Sequence, residues 1–376
     1  MNVNYKFFLI CVSLLFSCYG NFIFSSATEN YKIVENTSEP KNGIIDVELF
    51  DEFTIESGKN SEVFGYISKI ELDEKDNIYL LDSNRHKIIS FDKNGKFRFE
   101  FGRKGEGPGD LKNPKDFFVS NKNIFVLGYR IIHFFSNDGS FKKNVIMNSY
   151  INNFFVSKNN IILSYSIFNR NTKEVAIGSF DLFGGEKKEL KKYFFENIVT
   201  KRSGKRNIYY QIPHSFKFSL CFSRINNSKI VFGFSDDYSL FILNSDGKII
   251  LNIKKVVGKI PITSKTKKKV TDRLIKKLKS WSGNIIKRSL QLPDYYPFFS
   301  EIISDEKERL YVLNVQKDES LNEKYIYDVF NKNGIYIHKI VLSKRPEVIR
   351  NGYLYFTDYD EMVLKRYKIK NWGSIK

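Results

Sequence analysis

An all-β ring of six four-stranded antiparallel blades, a β-propeller, is the fold this sequence predicts, and three observations predict it. A glycine turn recurs five times after an aromatic or aliphatic residue, at Phe91-Asp-Lys-Asn-Gly95, Phe135-Ser-Asn-Asp-Gly139, Phe180-Asp-Leu-Phe-Gly184, Leu243-Asn-Ser-Asp-Gly247 and Phe330-Asn-Lys-Asn-Gly334. Each turn stands between two strand-like runs, where glycine supplies the positive φ of a tight hairpin. The glycines are 44, 45, 63 and 87 residues apart, one short period with two insertions, and a repeat of about 40–45 residues with four strands is one propeller blade. With 35 Phe and 22 Tyr, 16% of the chain is aromatic, enough to bury a large β core.

The amino terminus reads as an export signal over residues 1–27. Lys6 is its positive start, Phe7 to Phe16 its apolar stretch, and Ser17, Cys18 and Gly20 are small. The stretch falls well short of the roughly 20 residues a membrane span needs, and a second cleavage position follows Ser25-Ser-Ala27. The run Leu15-Phe-Ser-Cys18 resembles the lipobox of bacterial lipoproteins, which implies acylation of Cys18; simple secretion and an uncleaved anchor are the alternatives. Residues 28–43 are polar and without periodicity, as in a linker, and Ile44 to Phe53 alternate as a strand.

The propeller spans 44–370. Its first blade runs from Ile67-Ser-Lys-Ile-Glu-Leu through Asn77-Ile-Tyr-Leu-Leu-Asp and Lys87-Ile-Ile-Ser-Phe-Asp to Phe97-Arg-Phe-Glu-Phe. The next four occupy about 115–147, 153–193, 216–256 and 298–342. The sixth begins at Pro346-Glu-Val-Ile and ends at Val363-Leu-Lys-Arg-Tyr-Lys-Ile without a fourth strand. The early strand at 44–53 supplies it and closes the ring, protecting edges that would otherwise stay open. Two stretches break the pattern. Residues 194–214 are a basic connection with Tyr209-Tyr210, and 258–296 read as a basic helical insertion. There Val270, Leu274, Leu278, Trp281 and Ile285 make one apolar stripe at helical spacing, with Gly283 bending or breaking the helix.

The formal charge is +19, which invites a nucleic-acid partner. An exported chain does not routinely meet nucleic acid, and the Lys-, Asn- and Ile-rich composition fits an AT-rich genome, so an anionic surface such as acidic glycan or lipid headgroups is the better partner. Removal of the signal leaves Cys221 as the lone thiol of the folded domain, a buried small hydrophobe with no disulfide.

Asp82-Ser-Asn-Arg-His-Lys-Ile-Ile-Ser-Phe-Asp92 and Phe101-Gly-Arg-Lys-Gly-Glu-Gly-Pro-Gly-Asp-Leu-Lys-Asn-Pro114 resemble the blade and inter-blade link of NHL-type six-bladed propellers, of the exported and lipoprotein kind common in Bacteroidetes. The likeness is clear over 67–140 and weaker to 369. It implies architecture rather than activity, because the family spans binding modules, scaffolds and a few enzymes. The glycine run 102–109 leads into a strand and not a helix, so it is a crossover rather than a phosphate loop.

With strands a to d counted outward from the axis, b–c and d–a connections share one face and the glycine turns lie on the other. The links at 102–114, 194–214 and 258–296 are all d–a links, so elaboration falls on one face, the expected recognition surface. Its candidate binding residues are Arg85, Arg103, Tyr129, Arg130, Tyr209, Tyr210, Trp281 and Tyr359, since arginine heads and aromatic faces suit carboxylated or sugar ligands and protein hot spots. Related propeller lyases and lactonases imply an alternative, metal-assisted catalysis in the central channel. The four histidines, His86, His133, His214 and His338, share no register, which is a poor zinc set. Calcium would have Asp82, Asn84, Asp236, Asp237, Asp358 and Asp360 to draw on, although Asp358 and Asp360 suit turn caps better. No nucleophile motif and no matched acid–base pair stands out, and no cofactor is expected, so the expectation is a non-enzymatic exported propeller binding a protein or glycan partner through its d–a face.

Overall fold

Four of the five glycine turns hold their glycine in the left-handed region, with φ of 82° at Gly95, 86° at Gly139, 75° at Gly247 and 80° at Gly334. The structure, a computed structural model, describes residues 31–376 except 57, 59–64, 121, 148, 158–159, 169–172, 182–187, 196–197, 204–205, 212–215, 278–289, 291, 316–323 and 376. Gly184, Cys18, His214 and Trp281 lie outside the described residues. Each of the four glycines also abuts the preceding blade. A Cβ on Gly139 would stand 2.6 Å from Phe101, and one on Gly334 2.9 Å from Ile253. The recurrent glycine therefore answers two demands, the turn and the blade seam.

Six blades of four antiparallel strands follow in chain order, and two of them carry a fifth, parallel strand. Blade 1 comprises Ile67–Leu72, Ile78–Asp82, Lys87–Phe91 and Phe97–Phe101. Blade 2 comprises Asp116–Val119, Asn123–Leu127, Ile131–Ser136 and Phe141–Ile146. Blade 3 has Tyr150–Val156, Asn160–Phe168, Lys173–Asp181 and Lys188–Phe195. Blade 4 has Leu220–Asn226, Lys229–Phe234, Ser239–Asn244 and Ile249–Lys255. Blade 5 has Phe299–Ser304, Leu310–Asn314, Tyr325–Phe330 and Tyr336–Leu342. Blade 6 joins Val348–Arg350, Tyr353–Asp358 and Val363–Ile369 to the amino-terminal Leu49–Glu56, which pairs antiparallel with Val363–Ile369 and closes the ring. The core lies between blades. Ile78, Leu80 and Ile89 of blade 1 cluster with Ile55, Tyr355 and Leu364 of blade 6, and Tyr79, Leu81 and Ile88 pack on Phe117, Ile124 and Val126 of blade 2.

The segment 28–43, expected to be a linker, is a strap in its described part. Lys32–Asn36 pairs parallel with the outer strand of blade 4, and Ile44–Asp46 pairs parallel with that of blade 5. The expected strand 44–53 is thus two strands, and only Leu49–Glu56 closes blade 6. Strand addition to an open edge uses backbone groups, so polar side chains do not forbid it. In Lys32–Asn36 only Val34 and Asn36 are buried. The Asn36 amide donates to Lys254 O (3.1 Å) and Gly334 O (2.9 Å) and accepts from Tyr336 N (2.8 Å), bridging blades 4 and 5.

The basic connection between blades 3 and 4 is a hairpin of Ile198–Ser203 and Arg206–Gln211. The insertion between blades 4 and 5 carries the helix Ser264–Lys277, whose buried Val270 and Leu274 rest on Phe216, Ile262 and Tyr296. Leu278 and Ile285 of the expected stripe lie outside the described residues.

Candidate functional site

The innermost strands surround a channel of about 500 Å³. On blades 1 to 5, Lys69, Asp116, Asn153, Cys221 and Glu301 hold equivalent positions opposite Leu81, Leu127, Ser164, Gly233 and Leu313 of the second strand. Glu347 directly precedes the first strand of blade 6. All of these except Cys221 line the channel, toward the face of the b–c and d–a connections.

Deeper in the channel, Arg224 reaches from blade 4 across the axis to Glu71 of blade 1, its guanidinium 4.6 Å from the Phe118 ring and 3.2 Å from Phe117 O. Near the opposite face Asn227 donates to Glu74 across the axis (3.1 Å). Lys69 pairs with Asp116 and stands 3.2 Å from Glu71. Burial, helped by the positive Arg224, pulls the Lys69 amine down to about 8. Arg345 grips Glu301 with two hydrogen bonds of 3.0 and 3.1 Å. The Glu347 carboxyl accepts from Thr357 N (3.2 Å) and is pushed upward, chiefly by burial. Cys221 is buried, and burial pushes its thiol up to about 12.

Of the predicted binding residues, Arg85, Arg103, Tyr129, Arg130 and Tyr359 fall into separate groups on the rim of this face. Tyr359 stacks on Tyr66 with ring centroids 5.2 Å apart, and both rings are about half exposed. Arg85 lies beside Gly65, next to that pair, and reaches Asp82 at 3.4 Å. Tyr129 meets Tyr150 edge-on at 6.1 Å, with the Arg130 guanidinium 5.8 Å from the Tyr150 ring and its Nε donating to Met147 O (3.3 Å). Arg103 is paired within its own loop to Asp110 at 2.6 Å. Tyr209 and Tyr210 lie on the hairpin strand Arg206–Gln211.

His133 and His338 sit on strands of blades 2 and 5, and His86 lies in a b–c turn with Nδ1 2.7 Å from Leu111 O. The oxygens considered for calcium are dispersed. Asp82 accepts from the backbone of Gly65 (2.7 Å), Asn84 (3.1 Å) and Arg85 (3.0 Å), and Asp358 accepts from Asp360 and Glu361 (both 3.2 Å). Asp236 and Asp237 belong to blade 4. Among the described residues no group of three or more His, Cys, Asp or Glu is placed to hold a metal ion.

Reading for loop aromatics and arginines missed the channel charges. A partial signal is present in the repeat: a polar or charged residue precedes the apolar run of the first strand at Asp116, Asn153, Glu301 and Glu347, whereas Lys69 stands in an alternating strand.

None of the curated proteins matches this chain in sequence. A Bacteroides fragilis protein assigned as exported is similar in structure, at 13% identity and a TM-score of 0.53 over 90% of this chain and 100% of its own. A Bacteroides vulgatus member of the duf4221 family is similar at 16% identity and a TM-score of 0.52, over 86% of this chain and 98% of its own. The virginiamycin B lyase of Staphylococcus aureus is more distant, with 12% identity and a TM-score of 0.42 over 86% and 99% of the two chains, and carries no argument about chemistry here. The model of the 6-bladed beta-propeller family DUF5128 matches residues 25–235, more than half of the sequence, and this chain belongs to that family.

Proposed function

We propose that this protein is an exported, non-enzymatic propeller that binds a protein or glycan partner through the face of its b–c and d–a connections. One observation carries the reading: among the described residues no exposed large apolar side chain lies in an a–b or c–d turn. Tyr66, Tyr129, Tyr150, Tyr295, Tyr359 and Met362 border the b–c and d–a face, while Ile33, Ile44, Phe50 and Ile250 belong to outer strands. Aromatic side chains beside arginines are the usual anchors of such contacts. The channel charges mostly satisfy one another, Lys69 with Asp116 and Glu301 with Arg345, which weighs against a metal-assisted lyase or lactonase.

The test is retention of envelope proteins and glycans by the wild type and by Tyr66→Ala/Tyr359→Ala. We expect the pair to lower affinity about tenfold or more with melting unchanged. Equal retention, or loss only on changing the c–d turns, overturns the reading.

Export, and the NHL-like ancestry of the first blade, belong to the same proposal. Among the described residues no helix is long and apolar enough to cross a membrane. Acylation of Cys18 supplies the anchor in this reading. Labelled palmitate should enter the wild type and fail to enter Cys18→Ala; label in both, or in neither, removes the anchor.

A further inference from the structure

We infer that the solvent face of the helix Ser264–Lys277 binds a linear acidic glycan, one bearing carboxylate or sulfate groups along its length. The inference rests on the partner-binding role of the b–c and d–a face, to which the insertion between blades 4 and 5 belongs. Fourteen residues here hold seven Lys and Arg against the single Asp272, a net +6 out of the +19 of the whole chain. Val270 and Leu274 are buried against the body, and Lys265, Lys268, Lys269, Arg273 and Lys276 are exposed on the other side. At about 1.5 Å rise per residue, Lys265, Lys269 and Lys276 form a stripe about 16 Å long.

Helix stability does not account for this pattern. The first turn has no acid and carries Lys265 and Lys267, where the helix macrodipole favours carboxylates. Lys265 with Lys269, and Lys269 with Arg273, are like charges four residues apart, against which the helix sets one acid, Asp272, at that spacing from Lys268 and Lys276. Thr263 caps the start, its Oγ1 accepting from Thr266 N (3.2 Å), and Lys267 is drawn to Asp294 at 2.6 Å. The amino-terminal lysines are therefore not placed for helix stability, and an anionic ligand is the partner their charge fits.

The exposed face has the chemistry of a charged track rather than of an apolar contact. Within the described helix the apolar residues Val270 and Leu274 are spent on the body, so Ser264–Lys277 has none left to enter a bilayer as an interfacial helix does. No aromatic or large aliphatic residue interrupts the exposed stripe, so it lacks the anchors of a protein hot spot and the stacking platform of single-stranded nucleic acid. Lysine ammonium groups act as point charges with little directional demand, which suits a chain of evenly spaced anions.

The test measures binding of the full chain to polygalacturonate and dextran sulfate, to neutral dextran, to vesicles containing anionic phospholipid, and to a DNA duplex, each across a salt series. We expect both acidic glycans to bind, neutral dextran not to, and affinity to fall with salt. Lys265→Glu/Lys269→Glu/Lys276→Glu should lose about tenfold or more. Lys93→Glu/Lys248→Glu/Lys332→Glu, three exposed c–d turn positions with the same change in charge, should stay within about twofold. A Lys→Gln version of the helix variant, matched in melting temperature, guards against misfolding. Equal loss in both reversal variants reduces the binding to net charge and overturns the inference, as does tighter binding of vesicles or duplex than of either glycan. If the helix variants leave glycan binding intact while Tyr66→Ala/Tyr359→Ala still loses its partner, this inference fails and the proposed function stands.

Discussion

Arg224 ties the first strand of blade 4 to blades 1 and 2 across the channel. Its guanidinium bonds Glu71 and the Phe117 carbonyl while lying over Phe118, with 14% of its side chain exposed against 19% for Glu71. A planar, multi-donor head is required for that triple contact, so Lys would be a poor substitute. Arg224→Leu should cost about 3 kcal/mol, the low end for a broken buried pair because Lys69 remains 3.2 Å from Glu71. Arg224→Leu/Glu71→Leu should cost less than the single change, since no carboxylate is then left without its partner. Urea unfolding of the two variants decides the matter; a double variant less stable than Arg224→Leu would refute the account. These residues were the least legible in the sequence. On a first strand, Lys69 and Glu71 alternate with Ile70 and Leu72 as they would on a solvent-facing sheet, and only ring closure turns that polar side toward an axis.

At the scale of elements, legibility followed the apolar pattern. The strands expected at Ile67 to Leu72 and Phe97 to Phe101 coincide with those of blade 1, because aromatic and β-branched alternation marks both. The strap of Lys32–Asn36 and Ile44–Asp46 was not legible, because it adds to outer strands by backbone pairing and buries few side chains. Asn36 shows how a polar residue acts there: its amide is consumed by Lys254, Gly334 and Tyr336, three backbone groups on two blades. The helical insertion was legible in its described half through Val270 and Leu274, whereas the hairpin of Ile198–Ser203 and Arg206–Gln211 was read only as a basic connection. Of the candidate site, the elaborated face followed from strand counting alone. The pairing of Tyr359 with Tyr66 did not, because it joins residues from the two ends of the chain that meet only after closure.

For the whole molecule, closure and reinforcement are separate tasks performed by one amino-terminal segment. Leu49–Glu56 completes blade 6, without which Val363–Ile369 would be an open edge; Lys32–Asn36 and Ile44–Asp46 add fifth strands to blades 4 and 5, which already have four. The two halves of the segment should therefore fail differently. A chain beginning at Val47 keeps the seam and should remain a monomeric propeller, with a lower melting temperature from the loss of Val34 and Asn36. A chain beginning at Ser57 loses the seam strand, exposes the backbone of Val363–Ile369 and the buried faces of Leu364 and Tyr355, and should associate through that edge. Size-exclusion chromatography and thermal melting of both chains make the comparison. A monomeric, cooperatively melting protein lacking residues 47–56, or an aggregated one retaining them, would show that the ring is not held shut at this seam.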